Sequence, residues 1–254
     1  MLEVSDLTKE YLRRAVVDHV TFTVEPGEVL GYLGPNGSGK STTVRMLTGV
    51  LDPTSGEVRY LGRGIRENLL EYKRVLGYVP EEPFLYPYLT GREYLQLCGR
   101  LRGLPEGAMN EKIDAMLELF KLYGDRHSPI SAYSKGMKQK ILISAALLHD
   151  PEVILFDEPL SGLDVTAAMV FRHLVAGLAR AGKIILYSSH VLEVVEKVCT
   201  RVLILRRGRV AAHDSVDRLR SVLALPSLED VFSQLAAQED PEEVAGELLA
   251  AIRG

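Results

Sequence analysis

The stretch Gly34–Thr42 reads GPNGSGKST and fits the spacing G-x-x-x-x-G-K-[S/T]. The apolar run EVLGYL precedes it, and a helix is expected to follow from about Ser41 to Leu47. Glycines let backbone N–H groups converge on phosphate oxygens, Lys40 adds a point charge, and the Ser41 hydroxyl is suited to Mg²⁺. The stretch therefore predicts a phosphate-binding loop between a strand and a helix of an α/β fold. The residues expected to contact the phosphates are Gly34, Pro35, Asn36, Gly37, Ser38, Gly39, Lys40, Ser41 and Thr42.

A second apolar run, VILF at Val153–Phe156, is typical of a parallel strand buried on both faces, and it leads into Asp157 and Glu158. At the end of such a strand Asp157 can join a Mg²⁺ shell, and Glu158 can act as general base toward an attacking water. Adjacent strand residues point to opposite faces, so we expect the backbone to turn there and bring both carboxylates to one site. The competing interpretation is a solvated strand end.

A third strand, KIILY, is followed by SSH, which ends at His190, and a further strand is expected at RVLILRRGRV, Arg201–Val210. A lone histidine is more often a surface or structural residue than a ligand. Ligands of open α/β sheets bind at the carboxyl ends of the strands, and this placement favours a hydrogen bond from His190 to a γ-phosphate.

The order of elements divides the chain into four parts, with a helical segment inserted between two α/β segments and an appendage at the end. The last 28 residues, from Ser227, carry seven acidic residues and one basic residue, net −6, which leaves about +2 for the rest of a chain whose total is −4. Two short helices are expected there, beginning near Ser227 and Asp240. The predicted parts are residues 1–83, 84–149, 150–215 and 216–254.

Composition narrows the class of protein. The 254 residues are 46% hydrophobic and 25% charged, as in an ordinary globular protein. Cys98 and Cys199 lie far apart without metal-ligand spacing, so we expect two core thiols in a reducing compartment. The N-terminus lacks a secretory pattern and no apolar run has the length of a membrane span, which indicates the cytosol. The acidic balance argues against a general nucleic-acid binder without excluding one.

Five ordered motifs follow the phosphate loop, and with it they resemble an ABC-type ATPase domain over roughly residues 1–215. The resemblance implies ATP as the nucleotide, with Mg²⁺, and a P-loop NTPase core of RecA-like, mostly parallel sheet. It also implies an antiparallel β subdomain and an inserted helical subdomain. The motifs are GYVPE at Gly77–Glu81, YSKGMKQ at Tyr133–Gln139, ILFDEP at Ile154–Pro159, SGLD at Ser161–Asp164, and His190.

In that family the signature motif, matched here by Ser134 and Gly136, closes over the nucleotide held by a second subunit. A helix N-terminus with a serine hydroxyl complements phosphate charge, so this division of labour is physically reasonable. The resemblance implies a head-to-tail dimer, homomeric or heteromeric, with two ATPs at the interface and Asp164 between the sites. One copy of the chain would then hold half of each reaction centre.

Other positions are matched one at a time. Tyr11 corresponds to the aromatic residue that stacks on adenine, although a half-buried strand tyrosine is a real rival. Glu81 occupies the position of a glutamine that contacts Mg²⁺ and the attacking water, and Lys135 and Met137 replace a commoner glycine and glutamine. The catalytic residues implied are Lys40, Glu158 and His190, and the metal ligands implied are Ser41, Glu81 and Asp157.

The resemblance favours the ATP-hydrolysing subunit of a membrane transporter, most similar to those of two-component ABC exporters. Separate permease chains would hold it at the cytoplasmic face of the cell membrane as a peripheral subunit. PEEPFLYPYLTGREYL, Pro80–Leu95, supplies Phe84, Leu85, Tyr86 and Tyr88 where relatives receive a permease helix, unless these side chains pack into the subdomain core. The alternative is an ATPase of a macromolecular assembly, such as Fe–S cluster biogenesis. No nucleic-acid partner is expected.

Overall fold

The computed structural model describes residues 1–189, 191–223 and 227–236. His190 and the helix expected near Asp240 lie outside this part of the chain. The strands are β1 (Leu2–Tyr11), β2 (Arg14–Val24), β3 (Val29–Leu33), β4 (Ser55–Tyr60), β5 (Arg63–Gly64), β6 (Leu76–Val79), β7 (Val153–Asp157), β8 (Ile184–Ser188), β9 (Arg201–Arg206) and β10 (Arg209–Ser215).

Most of the helices connect these strands, and the last two follow β10 at the end of the described chain. The longest of them has 16 residues, and among the described helices none is long and apolar enough to cross a membrane. They are α1 (Lys40–Leu47), α2 (Leu69–Val75), α3 (Gly91–Leu101), α4 (Glu106–Leu119), α5 (Lys135–Leu147), α6 (Val165–Arg180), α7 (Leu192–Val198), α8 (Val216–Leu223) and α9 (Leu228–Ala236), with short 3-10 turns at Tyr123–Asp125 and Ile130–Ala132.

Two sheets make up the α/β core. One has the strand order β10-β9-β3-β8-β7-β6, in which all neighbouring pairs are parallel except β9 with β10. The other is antiparallel, with the order β2-β1-β4-β5. A mostly parallel P-loop core with an antiparallel β subdomain was predicted, and the topology confirms it.

The central strands are buried on both faces because every residue of β3, β7 and β8 is buried. Their side chains alternate between two cores, as the period of a strand requires. Leu30 and Tyr32 of β3 pack with the antiparallel sheet and α1, whereas Val29 and Leu33 pack with α5, α6 and α7. Continuous apolar sequence in these strands therefore reflects a sheet covered on both sides.

The helix α5 joins the inserted helical segment to the sheet. Ile141 packs with α3 and α4 in a core of their own, while Ile143 and Ala146 pack against the sheet. A helix buried on two sides needs apolar residues around most of its circumference, and the sequence ILISAAL meets that need. The helix that begins with the predicted signature motif is thus packed against both the helical core and the parallel sheet.

One predicted strand is wrong in its extent. RVLILRRGRV was expected to be a single strand, but the chain reverses at Arg207 and Gly208, whose φ angles are 50° and 82°. β9 and β10 therefore form a hairpin, in which Arg206 pairs with Arg209. Two-residue hairpin turns need positive φ, and glycine at the second position provides it at low cost. The strands β1 and β5 and the helices α2, α7 and α8 were not identified in advance.

Cys199 lies in the core as predicted, whereas Cys98, which was also expected there, does not. Cys98 is partly buried and Cys199 is buried, and both are free thiols. The helix expected near Ser227 is α9, which packs against β9 and α7 through Leu228 and Val231. The four-part division of the chain stays a prediction.

Phe156→Ala should lower the free energy of unfolding by about 3–5 kcal/mol, because truncation leaves a cavity in a packed core. Phe156 is 1% exposed and its ring contacts that of Phe171 edge-on, 4.9 Å between centroids. Urea denaturation followed by circular dichroism measures the change. The matched control is Phe84→Ala at a side chain that is 81% exposed, for which a change under about 0.5 kcal/mol is expected. Equal losses for the two variants would contradict the assigned core.

Candidate active site

The predicted phosphate loop connects β3 to α1 and packs closely against the backbone of β2 and β9. Gly39 precedes α1 with φ 104°, and a Cβ there would lie 2.6 Å from the carbonyl oxygen of Val16. A Cβ on Gly34 would lie 2.7 Å from the carbonyl oxygen of Leu205. Side chains would not fit at either position, so the glycines are required for the close approach of β2 and β9. The backbone of Ser38 is held by the N–H of Gly208, which donates to its carbonyl at 3.0 Å.

The Lys40 side chain lies folded over this loop. Its ammonium group donates to the carbonyl oxygen of Gly34 and, at 3.1 Å, to that of Pro35. Burial lowers the pKa of Lys40, and the negative charges of three nearby carboxylates oppose that shift. Those carboxylates belong to Asp157, Glu158 and Glu81.

The loop and the carboxylates enclose a cavity of about 180 Å³. It brings together residues from four strand ends and the start of α1, so the carboxyl edge of the parallel sheet is the site. A lysine, a serine hydroxyl and backbone N–H groups can hold an anion, and the carboxylates can hold a cation between themselves and that anion. The lining residues are Val16, Asn36, Gly37, Gly39, Lys40, Ser41, Thr42, Glu81, Asp157, Glu158 and Ser188.

A backbone turn brings Asp157 and Glu158 to the same cavity. Asp157 ends β7, pairs with Ser188 of β8 and is 8% exposed. Glu158 has φ 47°, in the left-handed region that residues with a Cβ rarely adopt, and its N–H donates to the Ser188 carbonyl at 3.0 Å. The expected turn at the strand end is therefore present, at a cost of about 1 kcal/mol in backbone conformation.

Ser189 contacts the predicted general base and was missed in the sequence. Its hydroxyl donates to a carboxylate oxygen of Glu158 at 3.2 Å and accepts from the N–H of Val191 at 3.1 Å. The sequence SSH offered a polar residue directly after β8. Because β8 lies beside β7, the residues that follow the two strands meet, and this places Ser189 beside Glu158. His190 lies between these two hydrogen-bonded residues but outside the described part of the chain, so its role stays a prediction.

The donor set of the cavity fits Mg²⁺. The hydroxyl of Ser41 and the carboxylates of Asp157 and Glu81 are hard oxygen ligands, and Mg²⁺ in nucleotide sites needs only one or two carboxylates besides the phosphates. Within the described ranges, no three His, Cys, Asp or Glu side chains form a metal-binding group by themselves. A cation would therefore be shared between these residues and a bound anion.

Tyr11 lies at the tip of the β1–β2 hairpin, opposite Arg14, and does not line the cavity. Its side chain is 48% exposed, and the ammonium of Lys9 lies 5.4 Å from the centroid of its ring. The ring is neither a core residue nor fully solvated. Stacking on adenine stays a prediction, and the available aromatic face is compatible with it.

The signature residues lie away from this cavity. Ser134 is the exposed N-cap of α5 and accepts from the N–H of Met137 at 3.2 Å, so its hydroxyl hydrogen stays free to donate to another group. Gly136 faces Gly162 and does not line the cavity. Asp164 is the N-cap of α6, and the N–H of Ala167, which donates at 2.8 Å, lowers the pKa of its carboxyl.

Comparison with known proteins identifies the family. Residues 17–161 match the family described as ABC transporter. The chain is 34% identical to the ABC-type transporter ATP-binding protein EcsA of Bacillus subtilis, over 96% of this chain and 99% of that protein. It is 36% identical to the bacitracin transport ATP-binding protein BcrA of Bacillus licheniformis, over 87% and 71%. A solved structure of the ATP-binding subunit of an ABC transporter has TM-score 0.88 and 35% identity, over 92% and 99%.

These likenesses extend over nearly the whole chain and include both sheets and the helical segment. The prediction of an ATP-binding ATPase domain with a P-loop NTPase fold is confirmed. The chain belongs to the ABC transporter family, as one of its ATP-binding proteins.

Proposed function

We propose that this chain is the ATP-hydrolysing subunit of a membrane transporter, which binds Mg²⁺-ATP in the cavity and dimerises head to tail around two nucleotides. One observation supports it above the others. Lys40, Asp157 and Glu158 share a cavity, while Ser134, a second anion-binding group, lies exposed at a helix start outside it. A second copy, or a similar subunit, would bring a serine to each cavity.

Each residue has a separable task in hydrolysis. Lys40 exchanges its loop carbonyls for phosphate oxygens, and the loop N–H groups bind the same phosphates. Glu158 orients or deprotonates the attacking water, while Ser189 fixes the orientation of its carboxylate. Ser41, Asp157 and Glu81 would hold Mg²⁺, which when bound neutralises phosphate charge.

The dimer follows from charge. Two bound triphosphates present negative charge to the helix N-termini and hydroxyls of the opposing Ser134 residues, and this attraction closes the interface. Loss of phosphate after hydrolysis removes that charge, and the interface opens. Opening and closing would drive the partner in the membrane.

An exposed aromatic cluster near Glu81 suits a permease contact. Phe84, Tyr86 and Tyr88 are 81%, 63% and 92% exposed, while Leu85 between them packs into the cores. One anchored side chain thus fixes a short segment whose other large side chains face outward. Aromatic side chains are frequent binding anchors, so this cluster favours a transporter over the assembly ATPase, and a peripheral position at the cytoplasmic face of the membrane.

Export is the direction that the relatives favour. BcrA is described as a bacitracin transport protein, and the sequence resembles subunits of two-component exporters.

Glu158→Gln should leave ATP binding intact and reduce hydrolysis by about a hundredfold or more, because the amide cannot act as a general base. The trapped ATP should accumulate a dimer, which light scattering with and without ATP measures. Glu193→Gln on the exposed face of α7 is the matched control and should behave as the parent protein. Parental hydrolysis by Glu158→Gln would refute the base, and constant turnover per chain from a strictly monomeric species on dilution would refute the shared site.

Glu81→Gln should lower the Mg²⁺ concentration needed for half-maximal hydrolysis. The substitution removes one negative charge beside Asp157, Glu158 and the triphosphate, so less cation is needed to neutralise the site. A Mg²⁺ titration at saturating ATP measures it. Glu82→Gln, at the next residue and outside the cavity lining, is the control. An unchanged titration for Glu81→Gln would count against Glu81 as part of the cation site.

The double variant Phe84→Ser, Tyr88→Ser should hydrolyse ATP normally as the isolated protein and lose co-purification with a multi-span partner from detergent-solubilised membranes. Leu119→Ser changes a side chain that is 82% exposed elsewhere and should keep the partner. Recovery of the parent protein only in complexes without a membrane protein would favour the assembly ATPase.

A further inference from the structure

Gln139 is a buried polar side chain in the second turn of α5, on the signature helix. It is 1% exposed, and its amide nitrogen donates to the carbonyl oxygen of Pro159 at 3.0 Å. Pro159, itself buried, directly follows Glu158. A helix glutamine thus contacts the backbone one residue beyond the predicted general base.

We propose that Gln139 is a positioning residue for hydrolysis, whose amide ties the signature helix to the backbone beside Glu158 and so couples Ser134 to the chain's own reaction centre. The proposal rests on the proposed dimer, in which Ser134 contacts the nucleotide of the opposing subunit. The link is within one chain, from one nucleotide site to the other.

The backbone at this position depends on its hydrogen bonds. Glu158 holds a disfavoured left-handed conformation with φ 47°, so neighbouring contacts must determine it. Its N–H donates to Ser188, and its carbonyl accepts from the N–H of Ser161 at 3.1 Å. Pro159 has no N–H, so its carbonyl is the only backbone group of that residue that can form a conventional hydrogen bond. The side-chain amide of Gln139 donates to it.

The environment makes this bond difficult to replace. Both partners are buried, so water does not substitute readily if the glutamine amide is removed, and the carbonyl would lose its donor in an apolar setting. A shift of the turn would move the Glu158 carboxylate, and small misplacements of a catalytic group can reduce the rate strongly. The hydrogen bonds described for the phosphate loop involve Lys40 and Gly208 and not Gln139, so they would be unaffected.

A second contact joins the same two segments. A Cβ on Gly162 would lie 2.9 Å from the side chain of Lys135 in the first turn of α5, and a Cβ on Gly136 would meet the carbonyl oxygen of Gly162. The SGLD segment therefore packs on the start of the signature helix, next to Ser134. Displacement of that helix start by a bound phosphate is transmitted through this packing and through the Gln139 amide to the turn after β7.

The test compares Gln139→Met with Gln96→Met, which removes another helix glutamine amide, one that donates to Asn110 at 2.7 Å between α3 and α4. Fluorescent ATP titration, steady-state hydrolysis and its dependence on ATP concentration are measured per folded chain, with folding checked by circular dichroism. Gln139→Asn repeats the test with the amide kept but one methylene short.

For both Gln139 variants we expect an unchanged KM for ATP, a kcat reduced about ten- to hundredfold, and a Hill coefficient that falls from that of the parent protein toward one. Gln96→Met should keep the kcat and cooperativity of the parent protein. Parental kcat and cooperativity in both Gln139 variants would overturn the proposal, as would equal losses in Gln96→Met. Glu158→Gln is assayed in parallel. Its loss of hydrolysis and its ATP-bound dimer test the proposed function independently of Gln139, so failure of this proposal can be distinguished from failure of the proposed function.

Discussion

The parallel pairing of β3, β8 and β7 is the constraint on which the site depends. Hydrogen bonding between neighbouring strands fixes where each one ends, and all three end at the same edge of the sheet. Because β8 lies in the middle, Ser188 at its end pairs with Asp157 and lines the same cavity as the phosphate loop. Burial of all three strands on both faces makes this register costly to shift, since a one-residue slip would exchange side chains of different size between two packed cores.

The electrostatics of the cavity are incomplete in the chain by itself. Three carboxylates face one lysine, an excess of negative charge at a place expected to receive a triphosphate. Such a site cannot bind its substrate as a bare anion without strong repulsion. In the proposed function a cation bound with the nucleotide would offset this charge, and Glu81, at the position where the family resemblance implies a neutral glutamine, would increase that requirement.

The sequence predicted the fold and most of the site because these depend on short, local patterns. The phosphate loop needs glycines at fixed positions beside Lys40, and a strand buried on both faces needs uninterrupted apolar residues. Both patterns can therefore be recognised in the sequence alone. The hairpin between β9 and β10 was missed because RRG lies within an otherwise apolar run. Ser189 and Gln139 were missed because their importance depends on contacts across the sheet, and a serine or helix glutamine carries no such mark by itself.

The folded position of Lys40 has a consequence for the energetics of recognition. Its ammonium group is partly buried and is already ordered against the loop carbonyls of Gly34 and Pro35. A nucleotide bound as proposed would exchange one set of oxygen acceptors for another, at a reduced cost in dehydration of the cation and in rotamer freedom. The loop would in this sense be preorganised, and its selectivity would derive from the difference between a neutral carbonyl and a charged phosphate.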